Sequence, residues 1–384
     1  MSTVLIIAIV ALLFDVQNVL ARWTRWRLQG SDRRSDDYTI VVPVYGHRRY
    51  FEDRDHLAPF KDHVLVALDM NGVGMDELAD ELEAEGWDVY RLSVAVPGPP
   101  RLVLHALRSG RVKTRYAFRM DADTKPVDDP ARYVAQMEDE GVDYASVRVH
   151  VMRPRKAVEK MQAIEYRMAM LSRHYRPWLS SGACFGGTVP ALKQILSLHS
   201  LWFPGEDLET GRIALALKLK VRHLDLRVET EAPSTWRGLV KQRRSWWAGG
   251  FRHSVINADK NLRHTPLWTL YYLGFVVAGI FIKTSSIVNP TSTFSFVRAF
   301  LLLFVFYAIL TAFANWQVRS WWMVFFPPYA LVQALGMPTL GLFYWANGAL
   351  RQRHFGRYRF GYRRGDLTPR SRAVAAVPRS AAGS

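Results

Sequence analysis

Residues 116–124 read YAFRMDADT, an apolar segment that ends in two closely spaced aspartates. Tyr116–Met120 has the length and the aromatic and aliphatic content of a buried β-strand. Asp121 and Asp123 follow this strand at positions i and i+2. A second Asp-x-Asp triplet, Asp53-Arg54-Asp55, lies in a polar, charge-rich stretch where we expect solvated side chains. The first triplet is therefore the one that a folded core would hold in place.

Short apolar runs alternate with amphipathic segments on both sides of this strand, from Tyr38 to about Asn257. The predicted strands are Thr39–Val44, Val64–Leu68, Val89–Leu92 and Tyr116–Met120, and the predicted helices between them are Asp76–Glu85 and Arg101–Arg108. This alternation predicts an α/β domain with a mostly parallel sheet that is covered on both faces. Ligands bind such sheets at the carboxyl ends of the strands, so the residues directly after each strand are candidates for function.

Apolar and basic segments flank the domain at 38–257. The mainly aliphatic start of the chain, followed by five arginines, predicts an N-terminal transmembrane anchor over residues 1–21 and a cytoplasmic domain after it. A signal peptide is the alternative, but no basic region precedes the apolar run and no small-residue cleavage site follows it. Within residues 266–350, Leu267–Val288 and Phe296–Trp316 are nearly uncharged and long enough to cross a membrane.

A third apolar segment, Trp321–Leu350, is broken by prolines and glycines. It predicts either one kinked span or two half-spans that form a re-entrant hairpin. The basic tail at 351–384 holds nine arginines and one acid, which places it on the cytoplasmic side and favours the hairpin. The sequence thus predicts a multi-pass protein of the cell membrane.

The charge of the chain has two explanations. Its 51 basic and 34 acidic residues give a formal charge of +17, which is typical of proteins that bind nucleic acid. The densest basic clusters, however, flank the apolar segments, where they orient the chain and contact the headgroups of a lipid bilayer. We therefore expect no nucleic-acid partner. A single cysteine, Cys184, excludes an intrachain disulfide framework and a cysteine-based zinc cluster.

Two acidic pairs and a lone aspartate are the candidates for chemistry. Asp121 and Asp123 can serve one cation–diphosphate assembly, because hard cations prefer carboxylate oxygens. Asp69 ends the second predicted strand, where it either binds a nucleobase or ribose or forms a turn. Glu206 and Asp207 begin a predicted helix, whose N-terminus either keeps a catalytic base ionised or is merely stabilised by the acids.

The basic and aromatic segment at 241–250 reads KQRRSWWAGG. Tryptophans beside arginines suit a site that stacks a sugar and pairs with phosphate. The same composition is typical of an amphipathic helix at a membrane surface. Both interpretations stay open from the residues alone.

Taken together, the order and spacing of these motifs resemble the membrane-embedded family 2 glycosyltransferases, which include the cellulose, chitin and hyaluronan synthases and the rhizobial chito-oligosaccharide synthase. The motifs are a V-P-V-Y strand end at 42–45, the aspartate after the second strand, the D-x-D triplet, the E-D pair and a Q-x-x-x-W helix. The likeness covers about Tyr38 to Phe251. It implies a GT-A-like fold, a UDP-sugar donor and a glycan or lipid-linked acceptor.

The resemblance also implies a role for each residue that matches a family motif. It implies that the donor is held by Pro43, Tyr45, Asp69, Arg101, Asp121, Gln242, Arg243, Arg244 and Trp246. It implies that Asp123 binds Mg²⁺ or Mn²⁺, that Asp207 is the general base with Glu206 beside it, and that Gly182, Cys184 and Trp246 contact the acceptor.

The implied reaction is inverting transfer of a sugar to a growing β-linked glycan at the cytoplasmic membrane face. Ser245 stands where the family motif has an arginine, and that arginine accompanies the processive members. Two alternatives therefore stay open: single addition of a sugar to a lipid or short glycan, and a catalytically inactive scaffold of the same fold.

Overall fold

One eight-stranded sheet forms the centre of the protein. The computed structural model describes residues 30–93, 98–200, 205–267, 269–270, 297–298, 301, 304–306, 308–313, 315 and 320–351. The strands are β1 (Tyr38–Val44), β2 (Val64–Asp69), β3 (Asp88–Leu92), β4 (Tyr116–Met120), β5 (Thr124–Pro126), β6 (Tyr144–Val151), β7 (Cys184–Thr188) and β8 (Val221–Thr230). Their order across the sheet is β3-β2-β1-β4-β7-β6-β8-β5.

Helices connect most of these strands. They are α1 (Met75–Ala84), α2 (Pro99–Arg108), α3 (Pro130–Glu140), α4 (Ala157–Arg173), α5 (Val189–Leu198), α6 (Glu206–Ala216), α7 (Trp236–Ile256), α8 (Ala258–His264) and α9 (Phe326–Arg351). Short 3₁₀ segments lie at Arg48–Phe51, Asp55–His63 and Trp321–Val324. The four strands and two helices predicted from the sequence are confirmed, with ends that differ by up to two residues.

The sheet is mostly parallel, as predicted, but it is mixed, because β7 and β5 run against the other six strands. Strands β3, β2, β1 and β4 are parallel, but β7 runs antiparallel to both β4 and β6. Two glycines in β7 weaken its strand signal in the sequence. The structure explains Gly186: a Cβ there would lie 2.5 Å from the ring of Phe118 in β4. Glycine at this position therefore leaves room for the Phe118 ring between the paired strands β4 and β7.

The two faces of the sheet bury separate apolar cores. In β1, Ile40 and Val42 belong to the core on one face, and Val41 belongs to the core on the other. On that second face, Leu102 of α2 and Leu192 of α5 cover the strands. Burial of each such side chain contributes about 2 kcal/mol to the free energy of unfolding. The result is a central sheet whose carboxyl edge remains open between its two layers of helices.

The long helix α9 corrects the prediction for Trp321–Leu350. The segment forms a 3₁₀ turn followed by one continuous helix with Pro338 inside it, so the re-entrant hairpin is wrong. Helix α9 packs along α7, which supports it on both sides of the proline. The two helices approach closely at Gly341, where a Cβ would lie 2.3 Å from the Cβ of Trp247. Packing against α7 therefore favours one continuous helix over two half-helices.

The predicted membrane segments are only partly described. The N-terminal anchor at 1–21 and the tail beyond Arg351 lie outside the described residues, as do most of Leu267–Val288 and about two fifths of Phe296–Trp316. Within the residues that the structure describes, no helix combines the length and the apolar character needed to span a bilayer.

Candidate active site

Two acidic pairs from distant parts of the chain meet beyond the carboxyl end of β4. Asp121 and Asp123 directly follow this strand, and Glu206 and Asp207 are the first two residues of α6. The Arg119 side chain in β4 lies between the pairs, with Nη2 2.7 Å from Asp121 Oδ1 and 3.4 Å from Glu206 Oε1. Only 3% of Arg119 is exposed. A buried guanidinium thus links the two acidic motifs that the sequence analysis singled out independently.

The Asp207 carboxylate is held in place by backbone N–H groups. Its Oδ2 accepts a hydrogen bond from the N–H of Gly182 at 2.9 Å, and its Oδ1 accepts one from the N–H of Leu208 at 2.9 Å. The Ser180 hydroxyl donates to the backbone oxygen of Asp207 at 2.8 Å. A Cβ on Gly182 would lie 3.5 Å from Glu206 Oε1. Gly182 therefore lies beside both acids of this pair and orients the Asp207 carboxylate, and its contact with an acceptor stays a prediction.

The Asp123 carboxylate points toward solvent at the edge of β5 and β8. Its Oδ1 accepts hydrogen bonds from the hydroxyls of Thr230 at 3.1 Å and Thr124 at 3.3 Å. The residue is exposed. Both threonines bind the same oxygen, so neither of these hydrogen bonds engages the second carboxylate oxygen.

Desolvation raises the pKa values of three of the acids, and neighbouring acids add to the shift for Asp121 and Glu206. Desolvation and the nearby charges of Asp123 and Asp207 raise the pKa of Asp121 to about 7, against the opposing pull of Arg119, although 38% of its side chain is accessible. Burial raises the pKa of Glu206 to about 8, again against Arg119 and helped by Asp207 and Asp121. Desolvation also raises the pKa of Asp123, although its threonine hydrogen bonds oppose the shift. Such a site gains free energy when a cation enters.

The carboxylates of Asp121 and Asp123 fit a cation that takes most of its ligands from substrate phosphates and water. Among the described residues, no group of three or more His, Cys, Asp or Glu side chains could hold a metal ion by itself. Asp121 and Asp123 offer carboxylate oxygens on the open side of the site, which suits an Mg²⁺-like ion that binds one or two carboxylates together with substrate phosphates and water. The residues present therefore fit a cation that arrives with a diphosphate.

The predicted nucleotide-side residues lie at the ends of β1 and β2. Pro43 pairs with Ala67 of β2 and lies beyond the β1–β4 pairing, which ends at Val41, so its missing N–H breaks no hydrogen bond there. Burial, together with the charges of Asp121 and Glu206, raises the pKa of the Tyr45 hydroxyl, which places this ring beside the acids.

Asp69 is buried at the end of β2, with 1% of its surface exposed. Its Oδ1 accepts hydrogen bonds from the backbone N–H of Asn71 at 3.2 Å and from Asn71 Nδ2 at 2.9 Å. Asp69 therefore forms a turn, which is one of the two roles predicted for it, and its binding of a nucleobase or ribose stays a prediction.

The basic residues of α7 contact protein groups. Arg243 is buried, with Nη2 2.7 Å from Glu165 Oε2 in α4 and its guanidinium 4.2 Å from the centre of the Trp246 ring. Arg244 lies over the ring of Tyr344 in α9 at 4.7 Å. Trp246 itself is 43% exposed. The segment at 241–250 therefore exposes the ring of Trp246, and the buried guanidinium of Arg243 lies against that ring.

Three other predicted site residues have distinct environments. Gln242 accepts a hydrogen bond from Arg243 Nη1 at 3.1 Å. Arg101 is buried in the first turn of α2. Cys184 is fully buried in the sheet core, and burial raises the pKa of its thiol. Because its side chain has no exposed surface, Cys184 does not line an open acceptor site in this structure.

The sequence analysis missed Arg119 and Arg173. An arginine within an otherwise apolar strand was the available signal for Arg119, because an unpaired charge there would be costly to bury. Burial lowers the pKa of Arg173 to about 10, although the charge of Asp207 and those of Tyr166 and Tyr144 oppose the shift. Arg173 therefore lies near Asp207, and nothing in its sequence context indicated this.

The structure is thus a mixed α/β domain with one pair of carboxylates directly after β4 and a second pair at the start of α6. The match to a family model is specific: the chain belongs to glycosyl transferase family group 2, whose model matches residues 118–337, more than half of the sequence. A comparison with curated proteins finds no match.

Solved structures share the fold. The chain is similar to the mannosyltransferase PcManGT from Pyrobaculum calidifontis, solved with GDP-Man and Mn²⁺, with a TM-score of 0.51, 14% sequence identity, and coverage of 88% of this chain and 99% of that one. At this identity the likeness shows the fold alone. It is also similar to glucosyl-3-phosphoglycerate synthase from Mycobacterium tuberculosis, solved with Mn²⁺, UDP-glucose and phosphoglyceric acid, with a TM-score of 0.38, 16% identity, and coverage of 57% and 79%.

Proposed function

We propose that this glycosyltransferase moves a sugar from a UDP-sugar to a growing β-linked glycan, with inversion at the anomeric carbon. The observation that carries the proposal is the convergence of Asp121 and Asp123 with Glu206 and Asp207 around the buried Arg119. A donor diphosphate needs a neutralising partner, and an acceptor hydroxyl needs a base. The two acidic pairs are suited to these separate tasks.

Asp207 is suited to act as the base because its carboxylate is oriented before any substrate binds. The N–H groups of Gly182 and Leu208 each hold one of its oxygens. In the proposed step, the acceptor oxygen forms a bond to the anomeric carbon while the bond from that carbon to the diphosphate oxygen breaks. The acceptor proton passes to the Asp207 carboxylate, and the diphosphate leaves from the opposite face of the sugar.

The diphosphate binds beside the D-x-D triplet in this proposal. Asp123 would hold Mg²⁺ or Mn²⁺ there, with Asp121 beside it toward the nucleotide, and the cation would supply neutralisation of the charge on a leaving diphosphate. The nearness of two carboxyl groups that follow the same strand supports this assignment, because hard cations prefer carboxylate oxygens. The two similar structures were both solved with Mn²⁺ and a nucleotide sugar, which supports a donor of that class.

Product length has two candidate outcomes. The resemblance to polysaccharide synthases favours repeated addition. Two features favour single addition to a lipid or short glycan. Ser245 replaces the motif arginine, and Arg243, which could substitute for it, forms an ion pair with Glu165. We retain the polymer as the leading proposal and single addition as the alternative.

We further propose that the enzyme works at the cytoplasmic face of the cell membrane. Support comes from the apolar and arginine-rich segments that flank the domain. Exposed apolar side chains beside α7 also fit contact with lipid: Trp321 is 65% exposed and Phe343 is 68% exposed.

A donor screen tests the proposal. Purified full-length protein would be incubated with each common UDP-sugar and with GDP-mannose, in Mg²⁺ or Mn²⁺, and the products would be sized and their anomeric configuration determined. Transfer from a UDP-sugar with inversion is expected. Products that carry only one added sugar would replace the polymer with the alternative, and absence of transfer from every donor would overturn the proposal.

A further inference from the structure

A buried polar cluster lies one helical turn beyond the E-D pair. We name it the Glu209 cluster: Glu209, His199, Ser200, His253 and Asn257. The side chains of His199 and His253 have no exposed surface, and that of Glu209 is 3% exposed. None of these residues belongs to the motifs considered above.

Glu209 uses both carboxylate oxygens within the cluster. Its Oε1 accepts hydrogen bonds from the backbone N–H of Ser200 at 3.2 Å and from Asn257 Nδ2 at 3.1 Å. Its Oε2 accepts one from the Ser200 hydroxyl at 2.5 Å and lies 3.3 Å from His199 Nε2 and 3.1 Å from His253 Nδ1. One side chain of α6 therefore joins the segment after α5 to α7 and to the turn after α7.

The cluster also reaches the backbone of the E-D pair. His199 Nε2 lies 2.9 Å from the carbonyl oxygen of Glu206. Directly before this residue, Gly205 has a φ of +90°, and a Cβ there would lie 3.1 Å from the Cα of Gly249 and 3.1 Å from a ring carbon of His253. The first turn of α6 is thus packed against α7 from two sides, by the Gly205 backbone and by the Glu209 carboxylate.

Burial of the Glu209 carboxylate carries a desolvation cost that an apolar side chain would avoid. Burial alone would raise the pKa of Glu209, but the attraction of His199 and His253 and the hydrogen bonds within the cluster hold it well below its usual range. Burial also lowers the pKa of His199, so the carboxylate is held by polar neighbours at least as much as by charge. Buried polar and charged groups are often no more stable than apolar packing of the same volume, but in some proteins they fix one arrangement. That trade-off is typical of a group that sets geometry.

We propose that Glu209 is a positioning residue, which holds the first turn of α6 against α7 and thereby sets Asp207 relative to Trp246. The inference rests on the proposed function, in which Asp207 is the base and α7 contributes to the acceptor side. Asp207 lies two residues before Glu209 on the same helix, so a shift of this turn moves the base. A displacement of about 1 Å at a reacting group can lower the rate about 100-fold.

Glu209→Gln tests the proposal because it keeps the size of the side chain and removes its charge. We expect kcat to fall about 10- to 100-fold while the donor KM changes less than about twofold, because the donor site on the β4 side is untouched. Ser200→Ala removes one hydrogen bond from the same carboxylate and should give a smaller loss of the same kind. This milder variant keeps the test available if Glu209→Gln does not fold.

Asp225→Asn is the matched control. It also removes one carboxylate from an ion pair, with Arg148 at 3.1 Å, but it lies in β8 away from α6. We expect its kcat to match that of the wild type. A double variant adds a second readout: if Glu209 acts through the base, Glu209→Gln and Asp207→Glu together should cost less than the product of their separate losses. Fully multiplicative losses, or a folded Glu209→Gln enzyme with wild-type kcat, would overturn the proposal.

Hydrogen exchange separates this inference from the proposed function, because it requires no turnover. Glu209→Gln should increase exchange in peptides that cover the first turn of α6 at 206–210 and leave β6 unchanged. Unchanged exchange in α6 would contradict the positioning role. Faster exchange there, in a protein that transfers no sugar, would support the contact between α6 and α7 while the proposed function failed.

Discussion

Arg119 is the residue on which the electrostatics of the site depend. It is buried, and its Nη2 faces Asp121 and Glu206 from a strand whose other side chains pack in the core. Burial opposes its charge, but the attraction of these carboxylates leaves the pKa of Arg119 raised. Two of the acids around it have strongly raised pKa values, about 7 for Asp121 and about 8 for Glu206, so this site exchanges protons near neutral pH. Two predictions concern these acids and their neighbour Asp123.

The first concerns the cation. Asp123→Asn keeps the hydrogen bonds from Thr230 and Thr124 possible but removes the charge. We expect Mn²⁺-dependent binding of UDP, measured by calorimetry, to weaken at least about tenfold, since even indirect partners of a metal are worth 10- to 100-fold. The control is the double variant Asp53→Asn/Asp55→Asn, which changes the two exposed aspartates of the other D-x-D triplet. It should bind UDP with the affinity of the wild type. Equal affinity of Asp123→Asn and the control would refute the assignment.

The second concerns pH. In the folded, metal-free protein the pKa of Glu206 is about 8, above its ordinary value of 4.5, so the folded state holds a proton that the unfolded state releases. The free energy of unfolding should therefore fall as pH rises from about 4.5 to 8, with a slope of up to about 1.4 kcal/mol per pH unit from this one group. Denaturant titrations in a chelator should show a flatter profile for Glu206→Gln. Identical slopes for the two proteins would contradict the raised pKa.

At the scale of elements, α7 is the helix that organises the C-terminal half of the described chain. It contacts α6, which carries Asp207, through the Glu209 cluster, and α9 packs along it. The close approach of α7 and α9 depends on Gly341, which has no side chain to collide with Trp247. The element that carries Gln242 and Trp246 is thus held from both sides.

Two glycines of α9 allow a matched test of that approach. Gly341→Ala would place a Cβ 2.3 Å from the Cβ of Trp247, so the helices must separate, and we expect a loss of about 1–3 kcal/mol in unfolding free energy. Gly336 lies in the same helix, and a Cβ there would meet no atom within 4 Å. Gly336→Ala should therefore be neutral or stabilising by up to about 1 kcal/mol. Thermal unfolding of both variants measures the difference. Equal melting temperatures would show that α7 and α9 do not pack as described.

The elements also show how far sequence patterns reach. Strands β1 to β4 and helices α1 and α2 were predictable because each has one clear period and a clear break at its ends. Strand β7 was not, because its two glycines serve contacts with Phe118 and with the backbone of Asp143 that only the assembled sheet reveals. The hairpin predicted for Trp321–Leu350 was wrong because Pro338 is tolerated inside a helix that packs on a neighbour.

At the scale of the whole molecule, the site is assembled from contacts of high sequence separation. The D-x-D triplet and the E-D pair were each identifiable as motifs, since their residue types and spacing carry chemistry. Their meeting around Arg119, and the support of Asp207 by Gly182 and Glu209 by His253, depend on the placement of β7 and α7 in the fold. No periodicity reports such placement, which is why the buried histidines and Arg173 were missed.

The central claim is that Asp207 is the base of a sugar transfer at this site, and a rate comparison tests it most directly. Initial rates of transfer from the best UDP-sugar would be measured for the wild type, Asp207→Asn, and the control Asp53→Asn/Asp55→Asn, after circular dichroism shows that all are folded. We predict that Asp207→Asn loses at least about 100-fold in kcat, as expected for removal of a general base, while the control keeps the wild-type rate. A folded Asp207→Asn protein that transfers sugar at the wild-type rate would contradict the account.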